Sequence, residues 1–288
     1  MSPASSVADA AVPLAPPPEL RFRRRVGPLR AIAAVWRSRE LVRTLAEREL
    51  RARYKQALLG LAWALITPLA LMVVFTLFFN RVARVETSGV PYPLFAYLGL
   101  LPWTFFSTSV SQGGQSLIQN IPLLNKVAFP REVFPMASVA VAGLDSAVAL
   151  VALGGLFVVY AFIPQPTSAW VPLLLLVQVA FTLGVTLIVS AVVVYLRDLR
   201  HALPVLLQIA LFATPVAYGI DFIPGSIRTL YVVLNPLAAV IDGYRRTVLL
   251  GLGPDWNLLV PATISAFAVL VLGYLLFKRM EAGFADVA

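Results

Sequence analysis

Residues Ala169–Leu196 read AWVPLLLLVQVAFTLGVTLIVSAVVVYL, a run with no acidic or basic side chain. About 20 such residues, wound as an α-helix, cross the ~30 Å hydrocarbon layer of a bilayer. A helix bonds its own backbone groups, which lipid cannot do for it. Arg197, Asp198 and Arg200 follow at once, so the run ends where water begins. The stretch reads as a transmembrane helix, and much of the chain repeats the pattern. Of its 288 residues, 59% are hydrophobic and 13% charged, against about 45–50% apolar and about 25% charged in soluble domains. The surplus is too large for one soluble core. It excludes a soluble enzyme, a secreted disulfide scaffold and a nucleic-acid-binding module.

Similar runs cover Leu58–Phe79, Pro93–Ser111, Phe134–Ile163, Ala202–Ile220 and Leu258–Phe277. A shorter one, Leu230–Ile241, would reach about 18 Å as a helix, too little to cross. Pro224, Gly225, Asn235, Pro236, Asp242 and Gly243 punctuate its surroundings, so it reads as re-entrant or interfacial. The expected fold class is therefore an all-α integral membrane protein with six transmembrane helices and both termini cytoplasmic. The net charge of +9 agrees with this. In that arrangement 18 Lys and Arg fall on inner segments and 5 on outer ones, the asymmetry of the positive-inside rule.

Residues 1–34 are rich in Pro, Ala, Ser and Arg and read as a disordered cytoplasmic tail. No continuous apolar segment precedes their basic cluster, so they do not read as a secretory signal. Residues 35–58 read as an amphipathic helix. Leu41, Val42, Leu45, Ala46 and Ala52 share one face and Arg43, Glu47, Arg51 and Lys55 the other. Glu49 and Arg53 interrupt the apolar face at a spacing that lets them pair. Such a helix before a span suits the membrane surface; the alternative is a solvated helix packed on a soluble partner. The six-span domain occupies 59–279, and 280–288 form a second cytoplasmic tail.

The chain has no cysteine and a single histidine, His201. Disulfides, thiolate chemistry and a multi-histidine metal site within one chain are excluded. There is no G-x-x-x-x-G-K-[ST] phosphate loop, so an ATP-driven process would need a second polypeptide.

Three stretches carry more than hydropathy. The first is Arg53-Tyr54-Lys55 with Leu59-Gly60-Leu61-Ala62-Trp63 and Pro68-Leu69. The second runs from Tyr97 and Gly99-Leu100-Leu101-Pro102-Trp103 to Asn120 and Leu123-Leu124-Asn125-Lys126-Val127-Ala128-Phe129-Pro130-Arg131-Glu132. The third is Arg197-Asp198, Thr214-Pro215-Val216, Asn235-Pro236 and Tyr244-Arg245. Together, over about residues 40–280, these resemble the transmembrane subunit of polysaccharide-exporting ABC transporters. That is the type-two exporter class serving O-antigens, capsules, teichoic acids and cell-wall galactans. The resemblance implies a non-catalytic permease in a bacterial plasma membrane, paired with a second copy of itself. It implies two copies of a separate ATPase subunit, which would hold ATP and Mg; no cofactor is expected in this chain. The cargo would be a lipid-linked glycan moving through a channel between the two permeases, with membrane lipid around them and no nucleic acid.

The same resemblance makes 112–131 the coupling segment that docks into the ATPase, with Asn120, Leu123, Leu124, Lys126, Phe129 and Arg131 as contact residues; apolar anchors inside a charged rim suit a groove. Otherwise it is an ordinary loop ended by Pro130. Arg197 and Asp198 are either a second contact or a topology-setting cap. Tyr97, Trp103 and Phe106 are candidates to line the glycan channel, or else to face lipid. Asn235, Asp242 and Arg245 belong to outer gate helices, where Asp242 either pairs with Arg245 or Arg246 or leaves the arginines to meet head groups. Asp145 sits within an apolar run, where a carboxylate costs at least about 2.5–3.5 kcal/mol. It must face a polar cavity, pair or stay protonated, and Ser138 and Ser146 are its nearest candidate partners in sequence. Two other function classes would leave different marks. An ion-coupled secondary transporter would show internal repeats and several midplane acids. A polytopic glycosyl- or acyl-transferase would show His, Asp and Glu clustered at the membrane face.

Overall fold

The computed structural model describes residues 39–54, 60–80, 87, 89–121, 130–281 and 283–284. Every regular element among them is helical. The helices are α1 Arg39–Tyr54, α2 Trp63–Phe75, α3 Tyr92–Gln119, α4 Val133–Val159, α5 Val171–Tyr195, α6 Leu199–Ala213, α7 Gly225–Leu234, α8 Pro236–Val248 and α9 Trp256–Glu281. Four of them, α3, α4, α5 and α9, are long and apolar enough to cross a membrane. At about 1.5 Å per residue each exceeds the hydrocarbon thickness. The other two expected spans are shorter. α2 runs into a widened turn over Thr76–Asn80, and α6 stops after 15 residues.

Both interruptions toward the far end of the chain have a proline behind them. The expected run Ala202–Ile220 is cut at Thr214, which is extended (φ −89°, ψ 140°) because Pro215 disfavours helical backbone before it. The expected short run Leu230–Ile241 is likewise two helices. Asn235 leaves the helical region (φ −130°, ψ 78°) before Pro236, which then opens α8.

The bundle is built around α3, whose apolar face extends nearly all round. Leu94, Tyr97, Leu98, Leu100, Trp103, Phe106 and Val110 are all buried. The Tyr97 hydroxyl donates to the Ala149 carbonyl of α4 at 2.8 Å. Polar groups at this depth find partners inside the bundle: Gln178 of α5 donates to the Pro102 carbonyl at 3.2 Å and accepts from Tyr244 of α8 at 2.9 Å. Large apolar side chains such as Val151, Val158 and Leu272 face outward, where lipid would cover them. Trp170 and Trp256 meet edge-to-face at 5.2 Å, at the end of the bundle where α5 and α9 begin.

α1 packs on the chain itself, with Ala46 buried against Ala137 and Val141 of α4. Arg43 and Glu47 pair on the exposed side at 3.0 Å.

α5 and α9 pack with backbone in contact at Gly184 and Gly273. A Cβ on Gly184 would lie 2.7 Å from the Leu270 backbone, and one on Gly273 2.5 Å from the Gly184 carbonyl oxygen. Small residues at such crossings let membrane helices approach closely. Gly184→Ala should therefore cost the ~1–3 kcal/mol typical of overpacking. Gly154→Ala, where a Cβ meets nothing within 4 Å, should be neutral or mildly stabilising. Thermal unfolding of the two variants in nanodiscs compares them; equal midpoints would mean the helices do not touch there.

Candidate functional site

The two ends of the bundle carry different polar structures. At the Trp170 end, the break after α6 frees a series of carbonyls, and each is met. Phe212 and Ala213 accept from the Tyr218 hydroxyl at 3.0 and 3.3 Å, and Ala213 also accepts from Tyr231. Thr214 accepts from the Val216 amide at 2.7 Å. Ala217 accepts from the Tyr92 hydroxyl at 2.8 Å. Pro215, Val216 and Tyr218 all accept from the guanidinium of Arg245, at 2.8 and 2.9 Å for the first and last.

Arg245 reaches them from α8 and is itself buried. Its Nε donates to the Phe95 carbonyl of α3 at 3.1 Å, and its guanidinium lies 3.6 Å from the centre of the Phe95 ring. A planar fork of five N–H donors suits this better than any other side chain. The space for it comes from Gly99: a Cβ there would collide with the guanidinium and stand 2.7 Å from the Val216 oxygen. Asn235 pins the α7–α8 joint to the same break, donating to the Thr214 hydroxyl at 2.9 Å. The expected pairing of Asp242 with Arg245 or Arg246 is not what forms. Arg245 is directed to carbonyls and Arg246 donates to Gly253 at 3.2 Å, while the ion pair of this region joins Arg228 to Asp221 at 3.0 Å.

At the opposite end, the expected coupling segment is described only at its flanks; Leu123, Leu124, Lys126 and Phe129 lie outside the described residues. Asn120 accepts from Arg48 of α1 and donates to the Ser116 carbonyl at 2.8 Å. On the other flank, the Arg131 amide donates to the Glu281 carboxylate at 3.3 Å, and its guanidinium to the Glu281 carbonyl at 2.8 Å. Glu132 is buried and takes the Lys278 ammonium at 2.7 Å, which also meets Glu281 at 2.9 Å. The two flanks are thus tied to α1 and to the end of α9. Arg197 and Asp198 are exposed on the turn between α5 and α6 at this same end. The Asp198 carbonyl starts α6 by accepting from His201 and Ala202 at 3.0 and 3.2 Å.

A third cluster lies between α1 and α4. Arg53 bridges Glu49 at 3.0 Å and Asp145 at 2.8 Å, and Tyr54 donates to Asp145 at 2.7 Å. Asp145 is therefore paired, and its partners are not the serines expected. Ser138 donates to Glu49 at 3.0 Å and Ser146 to its own helix at 2.9 Å. Burial and the neighbouring Asp145 carboxylate push the Tyr54 hydroxyl above its ordinary range, which keeps it a donor. The pairing of Glu49 with Arg53 was legible from spacing. Arg48, Glu132, Lys278 and Glu281 were not singled out as site residues, although Glu132 stood inside the quoted motif.

The three aromatic channel candidates, Tyr97, Trp103 and Phe106, pack within the chain and are buried there. Phe106 stacks on Phe181 at 5.5 Å and leans on Trp103 at 5.7 Å. An α3 that is apolar on every side offers no periodicity to separate a core aromatic from a channel-lining one.

Four helices long and apolar enough to cross a bilayer are the mark of a multi-pass membrane protein. Residues 40–249 match the ABC-2 type transporter family, and the chain belongs to it. It is 35% identical over 219 residues, 75% of this chain and 83% of the relative, to the O-antigen export system permease protein RfbA of Myxococcus xanthus. It is 27% identical over 249 residues, 86% of this chain and 95% of the relative, to the O-antigen export system permease protein RfbA of Klebsiella pneumoniae. It is 25% identical over 254 residues, 83% and 93% of the two chains, to the polysialic acid transport protein KpsM of Escherichia coli.

Replacing Arg245 by Met strips donors from four carbonyls. At roughly 1–3 kcal/mol for each unsatisfied buried group, the variant should lose several kcal/mol. Amide exchange across 214–219 should quicken at least about tenfold, the effect of ~1.4 kcal/mol on local opening. Arg245→Lys keeps a cation but not the fork and should recover only part of the loss. Unchanged exchange in Arg245→Met would remove the guanidinium from this account.

Proposed function

We propose that this chain is the permease subunit of an ATP-driven exporter that moves a lipid-linked polysaccharide across the plasma membrane. The observation that carries it is the similarity along most of the chain to permeases of O-antigen and polysialic acid export. The absence of a phosphate loop from the sequence fits a motor supplied by a separate ATPase subunit, which would hold ATP and Mg. This chain then performs no covalent chemistry. The finer topology keeps six crossings, with α2 and α6 as the short ones, and both termini cytoplasmic. Two copies would enclose the channel, and α7 and α8 would form the gate on the outer face. No feature favours the secondary-transporter or transferase readings; Asp145 is paired with Arg53 and Tyr54.

On this reading the segment between Asn120 and Arg131 docks into the ATPase. Its anchors give the docking mechanical meaning. A force applied there is passed to α3 through Asn120, and to α4 and α9 through Arg131, Glu132, Lys278 and Glu281. Arg131 acts as an anchor of the loop, while Leu123, Leu124, Lys126 and Phe129 face the motor. Along α3 the displacement reaches Phe95 and Gly99, the residues that hold the Arg245 knot.

Combined Leu123→Asp and Lys126→Glu should cut co-purification of the ATPase encoded beside this chain by at least about tenfold, the yield of ~1.4 kcal/mol of lost contact, with the permease itself still folded. ATPase recovery at the unmodified level would sink the docking assignment.

A further inference from the structure

We propose that the open-sided cavity lined by α1, α2, α3 and α4 is a binding site for a single neutral pyranose ring. It has a volume of about 290 Å³, at the lower edge of the ~300–1,000 Å³ of small-molecule sites. That is room for one ring and not for a glycan chain. The inference rests on the export reading above, since it takes its sugar from the cargo of such a system.

The lining supplies the contacts a sugar needs. Trp63 stands half exposed at the wall. The negative face of an indole attracts the weakly positive C–H face of a pyranose, as it does other positive edges. Asp145 lines the cavity with Arg53 and Tyr54. Each carboxylate oxygen accepts one bond from those partners and keeps a further lone pair, so Asp145 still accepts from sugar hydroxyls. Thr67, Thr104, Thr108 and Ser146 complete the polar wall. Thr104 and Ser146 donate to their own helices. Thr67 and Thr108 make no side-chain hydrogen bond to the described residues. Thr67 is exposed and Thr108 part-buried, so both hydroxyls can donate to or accept from a ligand hydroxyl.

Charge selects among ligands. Glu49, Arg53 and Asp145 together leave one excess negative charge beside the cavity, which disfavours phosphate and other anions. A metal is a poor fit as well, because the described residues hold no cluster of three His, Cys, Asp or Glu side chains. A neutral polyhydroxylated ring meets both conditions.

The test uses the full-length permease in lipid nanodiscs free of sugar-based detergent, without nucleotide. The probes are the methyl glycosides of glucose, galactose, mannose and rhamnose, read by saturation-transfer NMR, with sodium phosphate as the anionic comparison. At least one glycoside should bind saturably, with an affinity in the millimolar range or tighter. Thr108→Val, close in volume but without the hydroxyl, should weaken it about threefold to tenfold, the yield of one hydrogen bond. Trp63→Leu should weaken it as well. The proposal is overturned if no glycoside saturates, if Thr108→Val leaves the affinity unchanged, or if phosphate binds as well as the best sugar. Transport is not read here. A failure of binding therefore leaves the export reading standing, and an exporter shown to need no ATPase would leave this measurement untouched.

Discussion

In hydrocarbon a carbonyl oxygen without a donor costs several kcal/mol, so irregular backbone survives only where something else bonds it. The described structure turns on that constraint. Pro215 ends α6 short of a full crossing, and the chain from Phe212 to Tyr218 would be untenable as bare coil. It is held because Arg245, Tyr92, Tyr218 and Tyr231 supply donors to it. Arg245 does the largest share, and it carries its charge into a buried place to do so. Four carbonyl dipoles and the face of Phe95 take the role an acidic partner would have had. A cation held by neutral dipoles ties together backbone from α3, α8 and the broken segment. An ion pair would have tied only two side chains.

The opposite end solves a different problem. There, charges must be kept near lipid without becoming a burden, and they are kept in compact clusters. Removing one member of a buried pair costs roughly 3–5 kcal/mol, because the other is left uncompensated. An exposed pair such as Arg43–Glu47 is worth about 0.2–1 kcal/mol. The Glu132–Lys278–Glu281 group, with Glu132 buried, therefore fixes geometry in a way the exposed face of α1 does not. The same holds for Glu49–Arg53–Asp145, which fastens α1 along α4. Basic residues that topology counting treats as interchangeable markers of one side are here specific fasteners.

What the sequence discloses follows from which forces are local. Four of the expected spans were legible because length and apolarity are summed over a single segment. The break at Asn235-Pro236 was legible in kind, since proline constrains its own predecessor, whereas the break at Thr214-Pro215 lay inside an expected continuous span. The partners of Asp145 were not, because Arg53 and Tyr54 lie 92 and 91 residues away and no spacing rule reaches that far. Ser138 and Ser146 were proposed only because they shared a helix with it. Arg245 was legible as notable but not in its role, since an arginine beside an aspartate suggests a pair. The signal that would have corrected it is Gly99, a glycine set among the bulky apolar residues Leu98, Leu100 and Leu101. The burial of Trp103 and Phe106 was not legible for a related reason, because the first half of α3 has too few polar positions to orient the rest.

These two ends are joined by few continuous elements, and α3 is the one that touches a fastened point at each. Its last turn carries Asn120 under Arg48 of α1, and its first turns carry Phe95 and Gly99 around the Arg245 guanidinium. A helix transmits axial and tilting displacement because its hydrogen bonds repeat every turn. Part-way along, Gln178 donates to the Pro102 carbonyl and Tyr244 of α8 holds Gln178 in turn, which ties α3 to α5 and α8. Motion of α3 therefore moves the floor on which Arg245 rests while α8 carries the arginine itself. A knot of directional hydrogen bonds tolerates little sliding before its donors lose alignment. Such a contact has two states, seated and unseated, rather than a graded response. That is the property a gate requires if a push at one end of a bundle is to open the other.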